Sequence, residues 1–545
     1  MINSVLFVIF FNLMYFHGRG IVLIFDNLKQ KNLNLFKLPL NLFYPLISLF
    51  FIGNLTLILN FFLPVKSFFF QILLFFPILF NFKKLETPSY SVNNLIKYLF
   101  LPGILGLSTL SIGLAYDAGL YHLNSQLWIR ESNVPIGLYN IHFRYGYSSL
   151  IEYISANFWL NNNFILLHFI NLSFLSSFLN FIFYFITENP NKSFKQFGYF
   201  IIIFGFFDNF GYSGGRNGFL DIEAVSKHDT PFAILFVLSN LFLFHIYKNK
   251  CATKIELFTI SLLILFSIQM RVFGIITLIF LIFTILKINW TLVKTTKTLL
   301  TSVILGFIFT LKNILISGCM FFPVEISCFE SLDWYVKKSA SIEAQSLSSF
   351  HKSYQVGTNL IFWFEDWLSK SINKTTIINF LISFILILIF KRLYYIKVEK
   401  YQNYFFIYIY YLILVLFWFM TAPGVRLGLG VFCLSFAILS LNAEKNIVRF
   451  KYFDKNIFII AGLVLVTFLM PRLENYEKLF VDPFRVINLE PKYPQYINND
   501  YFGVTTQNND LCWIKINCIS YRDGVIKRKI QKSEIGMFKV YRITN

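Results

Sequence analysis

Long runs of apolar residues, separated by short polar connections, dominate this chain. Segments such as 298–316 and 403–421 approach the ~20 residues, at ~1.5 Å rise each, that cross ~30 Å of hydrocarbon. No water-soluble core needs so many. With 56% hydrophobic and 14% charged residues, the chain also falls well below the ~25% charge of soluble domains. The expected fold class is an all-α polytopic membrane protein of about 12–14 transmembrane helices. Helices are expected near 2–25, 42–63, 67–82, 95–115, 164–186, 197–209, 231–248, 254–268, 271–287, 298–316, 376–391, 403–421, 425–441 and 456–470. Gly18, Arg19 and Gly20 predict a break or partial insertion in the first of them. No small-residue cleavage site accompanies it, which argues against a removable signal peptide.

The net charge of +20 invites a nucleic-acid partner, and its distribution rejects one. Lys and Arg sit in short loops rather than along one polar face. The basic loops hold Lys29/Lys31/Lys37, Lys83/Lys84, Lys192/Lys195, Lys248/Lys250/Lys254, Lys294/Lys297, Lys391/Arg392/Lys397/Lys400 and Lys445/Arg449/Lys451/Lys455. All fall on one side if the crossings alternate, and the positive-inside rule makes that side cytoplasmic. The other face then carries 116–163, 210–230, 317–375, 422–424 and the tail. A transmembrane domain of 1–470 and an extracytoplasmic C-terminal domain of 471–545 follow, the latter a small α/β or β appendage. The 70 phenylalanines read as compositional bias. Cys319/Cys328 and Cys512/Cys518 are placed where a disulfide is chemically possible; free thiols are equally compatible with the sequence.

Chemistry-bearing residues gather on the outer face. Asp117 leaves a helix directly and is followed by Tyr121, His122, His142 and Arg144. A carboxylate beside hydrocarbon costs up to ~2.5–3.5 kcal/mol at mid-bilayer, so it is usually paired or used. Asp117 suits deprotonation of a hydroxyl or a hold on a divalent cation; capping or pairing with Arg144 is the plainer role. His122 and His142 are potential further metal ligands, although no spacing identifies a metal. Asp229 ahead of Pro231 reads first as a helix start, while the adjacent Lys227 suits a phosphate. Arg271 and Arg426 are cations at outer helix ends, fit for lipid phosphate or for a phosphorylated substrate. The mixture at 317–375, with Trp363, Glu365, Asp366 and Trp367, suggests an interfacial helix or lid. No Walker A, Rossmann, HExxH or GxSxG pattern occurs.

An ordered set of motifs spans most of the chain from about 100 onward. It comprises Tyr-Asp-x-Gly-Leu-Tyr-His at 116–122, Gly-Leu-x-Asn-x-His-x-Arg-x-Gly at 137–146 and Lys-x-Asp-x-Pro at 227–231. Lys-Asn-x-x-x-x-Gly leading to Phe-Pro at 312–323, Asp-Trp-x-Val at 333–336, Ala-Pro-x-x-Arg at 422–426 and Cys-Trp at 512–513 complete it. Together these resemble a family of bacterial polytopic membrane proteins taken to be glycosyltransferases of the GT-C class. The resemblance implies a GT-C-like helical core in the bacterial inner (plasma) membrane, with its working face outside. It implies a polyprenyl-phosphate sugar as donor, a glycan, lipid or protein as acceptor, and Asp117 as the essential acid. Tyr121, His122, His142, Arg144, Lys227, Asp229, Arg271 and Arg426 become the substrate-binding candidates. The cofactor stays open, a divalent cation being the one considered. Two departures stand out: Ala118 and Gly119 follow Asp117 where an acidic pair is usual, and Gly424 and Leu427 replace the expected Asp and Phe.

Two other readings compete. A surface-polysaccharide polymerase or ligase would use lipid-diphosphate donors and depend on Arg144, Arg271 or Arg426. A transporter or flippase would place charges near the midplane and show repeats; the helix interiors are nearly free of charge and no repeat is visible.

Overall fold

The computed structural model describes residues 1–24, 34–36, 38–83, 91–110, 112–147, 149–214, 224–225, 228–287, 297–352, 360–394, 404–441, 481–482, 484, 487–498, 503–506, 511–519 and 529–544. The chain is predominantly helical. Each expected segment before residue 442 overlaps helix, that at 95–115 only as far as Leu110; the one expected at 456–470 lies outside the described residues. So do Lys29, Lys31, Lys37, Lys84, Lys227, Lys294, Lys397, Lys400, Lys445, Arg449, Lys451 and Lys455.

Six helices among the described residues are long and apolar enough to cross a membrane: Ile2–Ile24, Leu40–Asn60, Ile165–Thr187, Asp229–Asn249, Leu299–Ser317 and Ser371–Ile389. Shorter apolar helices include Phe70–Phe82, Val272–Lys287, Phe405–Thr421 and Leu429–Ser440. Exposed Leu300, Val303, Phe307, Leu386, Ile389, Leu412 and Leu416 stud the outward faces, as expected of helices whose solvent is lipid. Ile165–Thr187 and Asp229–Asn249 form the centre of the bundle and bury nearly all their residues.

Two expectations change. The first helix is unbroken from Ile2 to Ile24. Gly18 and Gly20 serve packing instead: a Cβ at either would run into the backbone carbonyl of Tyr44 or of Pro77. Small residues let helix backbones meet this closely in a membrane. The span expected at 95–115 is a mixed run, α at Val92–Leu95, π at Ile96–Phe100, α at Leu101–Gly106 and 3-10 at Leu107–Leu110. Pro102, which has no N–H to donate, lies inside it.

The ends of the helices sort by chemistry. Asp229 begins a helix whose other end carries Lys248, bonded to the Leu441 carbonyl (2.6 Å). At that same basic end Lys97 pairs with Glu188 (2.9 Å). At the opposite end lie 116–163 and 317–375, and neither is a simple loop. The first contains helices Leu123–Glu131 and Leu150–Ser155; the second contains Ser339–Lys352 and Leu360–Ser369. In Leu360–Ser369, Trp363 and Trp367 turn inward while Glu365 and Asp366 stay exposed, the two-faced pattern of an interfacial helix. Both anticipated cysteine pairs are disulfides, Cys319–Cys328 and Cys512–Cys518.

The described tail is β-structure. Tyr496–Asn498, Val504–Thr506 and Cys518–Ile519 make a three-stranded sheet, and Lys529–Ile535 pairs antiparallel with Phe538–Thr544 around Gly536. It is docked on the first long segment. Trp513 donates its backbone N–H to the Gly119 carbonyl (2.8 Å), and a Cβ at Gly119 would press on the indole at 2.9 Å. Ile136 donates its backbone N–H to the Lys539 carbonyl (2.8 Å) and accepts from the Tyr541 N–H (2.9 Å), and Gly137 takes φ +68° under the Tyr541 carbonyl, where only glycine fits without strain.

Candidate functional site

A cavity of about 310 Å³ opens among the helix ends on the long-loop face. Six charged side chains line it, Asp117, Glu152 and Asp229 against Arg144, Arg271 and Arg426. They come from four separate stretches of sequence. Ile268, Val272, Phe273, Phe309 and Leu427 supply an apolar wall.

Asp117 sits at the start of the Ala118–His122 turn, 3.4 Å from Arg144 Nη1, with both side chains about one-third exposed. The contact is long for a hydrogen bond and leaves the carboxylate accessible. The Arg144 guanidinium also lies over the Tyr121 ring (5.6 Å), a cation–π arrangement that fixes its direction.

Asp229 does more than start a helix. No side-chain capping bond forms there; the N-cap is His228, and the Asp229 carboxylate binds Arg271 and stands 3.6 Å from Arg426 Nε. Its place in the first turn adds the favourable field of the helix N-terminus. One largely buried carboxylate thus holds two guanidiniums together at the cavity rim, and Arg426, 45% exposed, keeps surface for an anion. Lys227 lies outside the described residues.

The floor is a buried polar cluster. His122 Nδ1 contacts Glu152 Oε1, and His228 Nδ1 stands 3.8 Å from the same oxygen. Gln126 Nε2 donates to Glu152 Oε2 (2.7 Å), and Trp159 Nε1 donates to Gln126 Oε1 (2.8 Å). Burial pushes the Glu152 carboxyl up to about 7 and both imidazoles down to about 3, so the histidines are neutral near pH 7. Lys312, wholly buried, lies over the rings of Phe309 (4.1 Å) and Tyr153 (5.5 Å).

The structure therefore brings Asp117, Tyr121, His122, Arg144, Asp229, Arg271 and Arg426 to one cavity. His142 is placed behind it, stacked on Tyr121 and Phe143, with Nδ1 accepting from the Arg144 N–H (3.2 Å). It does not join His122 and Asp117 in a ligand set. Glu152 escaped sequence reasoning, although a lone acid in the apolar run Leu150–Ile154 was a usable signal. Tyr147 Oη donates to Glu343 (2.6 Å), tying 317–375 to the cavity wall.

Among known families, the model described as Domain of unknown function (DUF8201) matches residues 1–433. No curated protein and no solved structure matches.

Proposed function

The chain belongs to the DUF8201 family, and we propose that it is a membrane glycosyltransferase moving a sugar from a polyprenyl-phosphate donor to an acceptor outside the cytoplasm. The observation that carries this reading is the meeting of an accessible carboxylate, Asp117, with the Asp229-tethered pair Arg271 and Arg426 at one cavity. Transfer from a sugar phosphate needs those two features. Asp117 takes the proton of the acceptor hydroxyl as its oxygen attacks the anomeric carbon, inverting it. The bond from that carbon to the phosphate oxygen breaks on the opposite side, and the guanidiniums hold the charge of the departing lipid phosphate. The apolar wall of Val272, Phe273 and Leu427 suits the first isoprene units.

Sidedness has its own support. Both disulfides belong to the cavity face, and such bonds persist in oxidising compartments. Cys251, the exposed free cysteine, follows the far end of the helix that Asp229 begins. In intact cells a membrane-impermeant maleimide is expected to leave Cys251 unlabelled and to reach it after permeabilisation. Labelling in intact cells would reverse the orientation.

The function is tested by deletion. A strain lacking the protein should lose one sugar from a surface glycan and accumulate the matching polyprenyl-phosphate sugar by lipid mass spectrometry. An unchanged lipid pool together with unchanged glycans would remove the proposal.

A further inference from the structure

The polar floor of the cavity has an arrangement that the proposed transfer step does not use. Three donors of metal-ligating type, His122, Glu152 and His228, meet there, and one ligand atom from each lies within 4.8 Å of the others. Ligands around a tetrahedral zinc, at ~2.0–2.2 Å from the ion, stand roughly 3.4 Å apart. His228 Nδ1 at 3.8 Å from Glu152 Oε1 is too far for a hydrogen bond and close to that spacing.

The surroundings match. Glu152 Oε2 is already engaged by Gln126, which Trp159 holds in turn. The carboxylate is thereby oriented with Oε1 turned to both imidazoles, the support that metal ligands normally receive from their neighbours. All three residues are buried, yet all three line the cavity, so an ion bound there would border the cavity. Two nitrogens and one carboxylate oxygen suit zinc and its transition-metal neighbours, whereas magnesium and calcium prefer oxygen alone. Three guanidiniums, those of Arg144, Arg271 and Arg426, line the cavity. A dication would add to their positive charge, which favours an anionic ligand.

We infer that His122, Glu152 and His228 form a binding site for one divalent transition-metal ion of the zinc class on the floor of this cavity. This goes beyond glycosyl transfer and is read without any activity measurement, so either claim can fail while the other stands.

The full chain, tag removed, is reconstituted in nanodiscs, stripped with a chelator, reloaded with zinc chloride and washed. Metal content is measured by mass spectrometry and affinity by calorimetry; cobalt(II) substitution reports the ligand field. About one zinc per chain is expected for the wild type, with heat stability raised by the ion. His228→Ala and Glu152→Gln should lose it, and Gln126→Ala should bind about 10–100-fold more weakly. His142→Ala, a buried histidine outside the cluster, should bind as the wild type does. Variants are compared only when they elute as a single folded species. Should the wild type itself take up no zinc, which no variant's misfolding can explain, or should His228→Ala bind equally well, the site is refuted.

Discussion

Asp117→Asn at matched membrane expression is expected to reduce sugar transfer by about 10²–10⁴-fold, the usual contribution of a positioned general base. The amide keeps the shape of the side chain and cannot take the hydroxyl proton. Because Asp117 is one-third exposed and, among the described residues, paired with Arg144 across a long 3.4 Å contact, the substitution should leave the fold intact. Heat stability therefore separates the two explanations of lost transfer. Unchanged melting with lost activity assigns the residue to chemistry; a fall in both assigns it to structure. Were Asp117→Asn fully active, an Asp-centred mechanism would be wrong.

Arg271→Ala is expected to raise KM for the lipid donor by roughly 10–100-fold, since a hydrogen bond to a charged group is worth about 1.5–3 kcal/mol and each 1.36 kcal/mol is tenfold. Arg426→Ala should do less, its side chain being 45% exposed against 30% for Arg271. Exposed ion pairs are screened and weak. Asp229→Asn tests the tether. The carboxamide cannot hold two guanidiniums by charge, so KM should rise although neither arginine has changed. A steady-state split of kcat from KM in nanodiscs measures all three. The opposite pattern, with the arginines essential and Asp117 dispensable, would favour a polymerase or ligase working on lipid diphosphates.

Much of the fold was legible because one physical demand writes it. In hydrocarbon, every backbone polar group must be bonded inside its own segment, so among the described residues up to 441 apolar runs and helices largely coincide. The alternating basic loops likewise placed Asp117, Arg144, Asp229, Arg271 and Arg426 on one face, and all of them line the cavity. What stayed hidden depends on long-range packing. No local spacing says that residues 122, 152 and 228 share a floor, since each is fixed by a different segment. His142 and His122 look equivalent in sequence; the Tyr121 stack separates them. Gly18 and Gly20 read as helix breakers because local propensity sees their cost and not the helices that approach them. Gly119 is paired with Trp513 from nearly four hundred residues away, which is why the tail's role in shaping the Asp117 turn was invisible.

The central claim is that this cavity spends a polyprenyl-phosphate sugar, and it can be tested with purified protein. Wild type and Asp117→Asn, each in nanodiscs, are incubated with membranes of the deletion strain, which supply both donor and acceptor. The polyprenyl-phosphate sugar is followed by mass spectrometry. Wild type should consume it and release polyprenyl phosphate, while Asp117→Asn leaves it in place. A donor pool untouched by the wild type, or consumed equally by both proteins, would contradict the account.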